Sequence, residues 1–326
     1  MLTHVSASKY IRSGSSFTFV GVDFVMLADA AENLLDSFKP QTRDNMMQVK
    51  TVMLGLIGDN ISQSKSPRLH KTAGALAGLD VIYDRLIPKA MGKTFDEVFE
   101  QAHALGFRGI NVTYPYKEIV ATKVAVADPL VRAIGAVNTV VFDDDGPKGF
   151  NTDYSGFINA YRAIRGPKEP GTVCLIGTGG VGKAVAFGLI GLNAKVIRCV
   201  DLDPAKAEVL ADALRALGSN TQIETATSAV AAAADAAGII NCTPLGMVGI
   251  GGTPIPFEAI QDATWAFDAV YTPVDTQFLQ DATRAGLSVI SGYELFFGQG
   301  VDAWDIFTGA SIDHHALRAA IAGDEV

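Results

Sequence analysis

Between an apolar run at 172–176 and an alanine-rich stretch that starts at Val181, the chain carries Gly177-Thr178-Gly179-Gly180-Val181-Gly182. The spacing is G-x-G-x-x-G, set between strand-like and helix-like segments. The first glycine permits a tight turn, the second lets bare backbone approach a pyrophosphate, and the third lets helix and strand pack closely. The helix start adds unpaired N–H groups and the positive end of its dipole. A glycine-rich turn in another α/β protein could show the same letters. The flanking strand and helix favour a dinucleotide, to be held by Gly177, Thr178, Gly179, Gly180, Val181 and Gly182. Asp201 closes the next strand, roughly 20 residues on, where a carboxylate can accept hydrogen bonds from the adenosine ribose of NAD and repel the 2′-phosphate of NADP. Val200–Pro204 (VDLDP) holds no cation, although Arg198 and Lys206 flank it. NAD is therefore favoured over NADP, with Asp201 and Asp203 alternatively serving only as turn and helix caps.

The rest of the chain alternates strands and helices, which implies α/β architecture and a mostly parallel sheet. Strands are expected at 52–57, 81–86, 109–112, 139–142, 172–176, 195–200, 239–242, 265–269 and 287–290. Helices are expected at 69–79, 95–105, 117–125, 129–134, 181–192, 204–217, 226–237 and through 293–322. A Pro-, Gly- and charge-rich break at Arg165–Gly171 (RGPKEPG) reads as a domain boundary. At 326 residues two domains are expected.

A net charge of −9 disfavours nucleic acid, and 19% charged residues with 48% hydrophobic ones suit packed cores. Cys174, Cys199 and Cys242 lie in apolar runs and read as reduced thiols of a cytoplasmic protein rather than a disulfide framework. No zinc spacing occurs, so no metal is expected. No apolar run is long enough to span a bilayer. Phe17–Ala30 loosely mimics a signal peptide but is interrupted by Asp23, and residues 1–50 read as a poorly ordered extension, with Met46 and Met47 as alternative starts.

Several segments then occur in a telling order: Ser64-Lys65-Ser66-Pro67-Arg68-Leu69-His70, Asn111-Val112-Thr113-Tyr114-Pro115-Tyr116-Lys117, Gly135-Ala136-Val137-Asn138-Thr139, Asn151-Thr152-Asp153, Asn241-Cys242-Thr243-Pro244-Leu245-Gly246-Met247, Asp268-Ala269-Val270-Tyr271-Thr272-Pro273, and Gln299. Together they resemble the shikimate/quinate dehydrogenase family, in its SxSPxxH, NVTxPFK, GAVNT, NTD, NxTPxGM and DxxYxP segments, from about residue 52 to 310. The resemblance implies an N-terminal α/β substrate domain over 51–155, a Rossmann-type doubly wound dinucleotide domain over 156–290, C-terminal helices over 291–326 returning to the substrate domain, and an active site in the cleft between the two. The family would place the crossover helix near Ser155, slightly before the break at Arg165.

Oxidising a secondary alcohol needs a hydride acceptor and a group that takes the hydroxyl proton. The resemblance makes Lys117 the acid/base and Asp153 its partner. Desolvation helps a lysine lose its proton and a neighbouring carboxylate opposes the loss. Ser64 and Ser66 would point one way on an extended loop and suit a carboxylate, although Ser66 could merely cap the following helix. Thr113, Asn138, Gln299 and Tyr271 bring donors and acceptors suited to ring hydroxyls. Thr243, Pro244, Leu245 and Met247 would cover the nicotinamide, with Gly292 passing close. His70 reads as structural.

Some positions depart from the family pattern. Asn60 replaces a common proline, Tyr116 a phenylalanine, and Asp201-Leu202-Asp203 the Asn-Arg pair of NADP-dependent members. Gly292–Gly300 is bulkier than usual, with Glu294 and Phe296 expected to reshape the pocket. The expectation is an NAD-preferring enzyme acting on shikimate or quinate, as monomer or homodimer. Alternatives are an NADP-dependent biosynthetic shikimate dehydrogenase, a similar dehydrogenase acting on an aminoshikimate or a folate, and a non-catalytic sensor.

Overall fold

The computed structural model describes residues 50–323. The expected extension, including Phe17–Ala30, Met46 and Met47, lies outside the described residues.

The N-terminal sheet contains β1 (Thr51–Ile57), β2 (Asp80–Leu86), β3 (Gly109–Val112), β4 (Thr139–Asp143) and β5 (Gly146–Phe150), in the order β2-β1-β3-β4-β5. β1 pairs parallel with β2 and β3, whereas β3–β4 and β4–β5 are antiparallel. The intervening helices are α1 (Ser66–Leu76), α2 (Pro88–Met91), α3 (Phe95–Ala104), α4 (Lys117–Ala121) and α5 (Pro129–Ile134). Strand alternation sorts β1 between two cores. Val52, Leu54 and Leu56 pack with Trp304 and Phe307, while Ile57 joins Ile110, Val140 and the apolar stripe Phe95, Val98 and Phe99 of α3. A capping box at Thr94 and Glu97 starts α3, each side chain bonding the other residue's backbone N–H.

α6 (Thr152–Arg165) follows, and then an all-parallel sheet of β6 (Thr172–Ile176), β7 (Val196–Val200), β8 (Gln222–Thr225), β9 (Gly238–Asn241), β10 (Trp265–Asp268) and β11 (Ser288–Ile290). Their order, β11-β10-β9-β6-β7-β8, reverses direction at β6, the topological switch point outside which such sheets bind ligands. Its helices are α7 (Gly180–Gly191), α8 (Pro204–Arg215), α9 (Ala229–Ala233) and α10 (Gln277–Arg284). α11 (Gly292–Thr308) and α12 (His314–Gly323) close the chain. Trp304 and Phe307 of α11 and Leu317 of α12 pack into the core beneath the first sheet.

Departures from the sequence expectation have local causes. β5 (GPKGF) lacks an apolar alternation and exists through its pairing with β4. β8 is a polar edge strand paired only to β7. The alanine-rich stretch 226–237 is helical only over Ala229–Ala233, and Asp235 in the left-handed region (φ 55°) follows it. The C-terminal stretch divides at Gly309, a left-handed helix cap.

Candidate active site

Lys117 is the first residue of α4, and its Nζ donates to Asp153 Oδ2 at 2.6 Å. Asp153 is 2% exposed in the first turn of α6. Asn151 caps that helix, its Oδ1 accepting the N–H groups of Asp153 at 3.1 Å and Tyr154 at 3.2 Å, while its Nδ2 donates to the Ala136 carbonyl at 2.9 Å. The Val137 N–H donates to the Lys117 carbonyl at 2.9 Å, so one segment fixes both partners' backbones.

Three consecutive side chains fan out from this point. Tyr116 donates its hydroxyl to Asp59 at 2.6 Å, Lys117 reaches Asp153, and Glu118 pairs with Lys183 of α7. They touch the loop after β1, the crossover helix α6 and the dinucleotide-side helix.

Beside Asp153 lies a polar string. Asn138 Oδ1 accepts the Thr152 N–H at 2.8 Å, and Asn138 Nδ2 donates to Gln299 Oε1 at 3.2 Å. Thr139 Oγ1 donates to Asn138 Oδ1 at 3.0 Å and accepts from Asn111 Nδ2 at 3.1 Å. Asn111 Oδ1 receives the Tyr83 hydroxyl at 2.8 Å, and Tyr83 hydrogen-bonds Ser66. Ser64 Oγ donates to Ser66 Oγ at 3.1 Å. Ser64, Ser66, Asn138 and Gln299 are thus members of one network. Gln299 is held where α6 and α11 meet without side chains between them, since a Cβ on Gly156 would lie 2.9 Å from the Gln299 nitrogen.

The glycine turn faces the same lysine. A Cβ at Gly180 would lie 3.6 Å from Lys117 Cδ, and Gly179 faces open space. Gly177 is left-handed (φ 94°), and a Cβ on Gly182 would sit 2.0 Å from the Gly177 carbonyl oxygen. Asp201 Oδ2 accepts the Thr178 N–H at 2.8 Å and hydroxyl at 2.9 Å, and its Oδ1 accepts the Asp203 N–H at 3.0 Å. Burial pushes the Asp201 carboxyl up, but the hydrogen bonds from Asp203 and Thr178 outweigh it and hold the group below the usual carboxylate range. Asp203 caps α8 through the Ala205 N–H. Arg198 is turned away, bonded to Glu224 and to the carbonyls of Ala232 and Ala234.

The substrate binding domain of shikimate dehydrogenase matches residues 56–140. A quinate/shikimate dehydrogenase (NAD(+)) of Corynebacterium efficiens is 36% identical over 279 residues, covering 84% of this chain and 98% of the relative. A shikimate dehydrogenase (NADP(+)) of Pseudarthrobacter chlorophenolicus is 34% identical over 290 residues, covering 86% and 98%. The solved quinate dehydrogenase from Corynebacterium glutamicum in complex with NAD superposes with a TM-score of 0.77 at 33% identity, covering 84% of this chain and 99% of that one. The chain belongs to the shikimate/quinate dehydrogenase family.

As a member of that family it shows several sequence-expected residues in roles of their own. Ser66 begins α1 instead of capping it. Lys65 is the cap position, and the Ser66 N–H donates to Ser64 Oγ at 3.2 Å, because the two hydroxyls fold onto each other. Thr243 turns its hydroxyl inward, donating to Asn241 Oδ1 at 2.7 Å and accepting the Leu245 N–H at 3.2 Å. It thereby shapes the turn carrying Pro244, Leu245 and Met247, whose N–H reaches the Pro244 carbonyl. Cys242 and Thr243 pack on Gly177. Thr113 packs its methyl against Gly58, and Gly292 lies against the Val270 carbonyl, 2.5 Å from where a Cβ would stand. Tyr271 stacks on Phe296 with centroids 5.0 Å apart.

Against the expectation that it reshapes the pocket, Glu294 forms a two-pronged pair with Arg318 of α12 at 2.6 and 3.1 Å and braces the C-terminal helices. His70 is buried against Tyr83, Trp304 and Phe307, and burial depresses its imidazole to about 3, which keeps it neutral. Tyr83, Asn111 and Thr139 of this network, and Asp268 beside the glycine turn, are not among the site residues the sequence points to. Tyr83 sits at a buried position of β2, where alternation marks only core. Asp268 ends β10 and is fully buried, accepting from Asn241, the Val270 N–H and Thr276, the last at 2.6 Å. No group of three metal-ligating side chains occurs among the described residues, and no described helix is long and apolar enough to cross a membrane.

Proposed function

We propose that the chain is an NAD-preferring dehydrogenase that interconverts shikimate or quinate with their 3-dehydro forms. The observation that carries this reading is the 2.6 Å contact of Lys117 with a buried Asp153, next in sequence to the Thr152 that the hydrogen-bonded string holds, and facing a bare glycine turn. The dinucleotide, when bound, supplies the hydride acceptor for the carbinol carbon. Lys117 takes the hydroxyl proton during oxidation and returns it during reduction, and Asp153 orients the amine toward that oxygen. Asn138 and Gln299, already paired, fit neighbouring ring hydroxyls, and Ser64 and Ser66 fit the carboxylate at the far end of the string. Thr113 and Tyr271 complete the polar wall.

The glycine turn fits a pyrophosphate, because side chains are excluded at Gly177 and Gly182 and the start of α7 is bare. An acidified Asp201 beside it suits ribose hydroxyls and opposes a 2′-phosphate. Thr243, Pro244, Leu245, Met247 and Gly292 would flank the nicotinamide end. The NADP-dependent alternative has one observation in its favour: Lys206 lies close enough to Asp201 to favour its charge, and is the cation that could turn to a 2′-phosphate. Initial rates with NAD or NADP against shikimate or quinate test the reading. NAD preference with either acid supports it. NADP preference would replace it with the biosynthetic assignment, and no turnover on either acid would overturn it.

A further inference from the structure

The loop from β1 to α1 holds Ser64 and Ser66 at its far end, and its near end is docked on the turn that precedes Lys117. The Asp59 N–H donates to the Tyr114 carbonyl at 3.2 Å, and Gly58 rests on the Thr113 methyl with no room for a side chain. Ile61, 3% exposed, anchors the middle, and its carbonyl accepts the Ser64 N–H at 3.0 Å. Arg85 of β2 donates to the Ser64 carbonyl at 2.7 Å.

Tyr116 is what joins this loop to the lysine by a side chain. Its backbone N–H closes the turn on the Thr113 carbonyl at 2.9 Å, its ring stacks on Phe95 with centroids 4.9 Å apart, and its hydroxyl donates to Asp59 at 2.6 Å. Lys89 holds the other Asp59 oxygen at 2.6 Å. Hydrogen bonding from Lys89, then from Tyr116, keeps the Asp59 carboxyl below its usual range, and burial with the bond to Asp59 pushes the Tyr116 phenol up to about 12. A hydroxyl aimed at a carboxylate is a short, directional bond. A phenylalanine at 116 could keep the stack but not this bond.

We propose that Tyr116 is a positioning residue, which through Asp59 sets the hydroxyl loop of Ser64 and Ser66 at a fixed distance from Lys117. This rests on the roles given above to Lys117 and the two serines. When the tie is intact, the carboxylate-holding end and the proton-transferring end of the substrate site move as one body. When it is cut, the loop relaxes and the substrate is held less well, while the dinucleotide half is untouched.

The test is steady-state kinetics of the full chain, wild type against Tyr116→Phe, Asp59→Asn and the double variant, with thermal melting of the same four proteins. Tyr116→Phe is expected to raise the substrate KM about fivefold and Asp59→Asn by less, each leaving the KM for NAD unchanged, and the double change to fall well short of the product of the two, because the first removes the donor of the bond and the second, which keeps an oxygen able to accept, removes the charge that strengthens it. Unchanged substrate KM in Tyr116→Phe with a lowered melting temperature would overturn the proposal and leave the hydroxyl a merely structural one. Multiplied effects in the double variant would also overturn it. A wild type inactive on both acids would instead strike down the functional reading, with the positioning role falling too, while the melting cycle would still show whether the tie exists.

Discussion

The Asp268 carboxylate and the Asn241 amide meet at 2.9 Å, joining the carboxyl ends of β10 and β9. Asn241 in turn holds Thr243 and the Leu245 carbonyl, so a buried charge supports the turn next to the glycine motif.

That carboxyl should be visible in stability against pH. Burial pushes it up to about 6, against the pull of the bonds from Thr276, Val270 and Asn241. Its folded value lies above its unfolded value of about 4, so its contribution is fully present below about pH 4 and is lost as pH rises through about 6. The difference, on the order of 3 kcal/mol, should appear as a melting-temperature gap between wild type and Asp268→Asn that drifts against the wild type from pH 4 to 6 and is level above 7. A gap that stays constant across this window would refute it.

Lys117→Ala should lower kcat by about 10²–10⁴ while NAD affinity by titration calorimetry stays near that of the wild type, since the lysine acts on the proton and not on the dinucleotide. Comparable turnover in the variant would end the catalytic assignment.

Asp201→Asn should narrow the NAD-over-NADP preference by about tenfold, because a neutral amide no longer repels the 2′-phosphate. The same change weakens the bonds to Thr178, so a lower melting temperature is expected with it. An unaltered cofactor ratio would make Asp201 a purely structural brace of the glycine turn.

Gly182→Ala should cost about 3 kcal/mol or more, because its Cβ would lie 2.0 Å from a backbone oxygen that a flexible neighbour cannot yield. Chemical denaturation would measure it, and a variant as stable as wild type would mean the turn can open freely.

Sequence patterns that rest on backbone geometry were the readable part. The glycine turn, the Asp203–Pro204 helix start and the buried strands β6 and β10 are written in residue types that few other conformations accommodate. β5 and β8 are opaque, since edge pairing creates them without a strong local period, whereas α10 carries local signals that the sequence reading passed over, Thr276 as its cap and Phe278, Leu279 and Ala282 on one buried face. At the site, Lys117, Asp153, Asn138 and Gln299 came from a family resemblance, and nothing local marked them. Tyr83 looked like core because its ring is, while its hydroxyl is what links Ser66 to Asn111. Glu294 misled because its partner Arg318 is 24 residues away, beyond the reach of local patterns.

The fan of Tyr116, Lys117 and Glu118 has an evolutionary consequence. Successive helical residues point about 100° apart, so one inserted or deleted residue before α4 would present each side chain to the wrong wall. A substitution at 116 or 118 costs one contact, whereas a change of length breaks all three at once. Lineages of this enzyme should therefore vary in what stands at 116 and 118 while preserving the spacing from the β3 strand to the lysine.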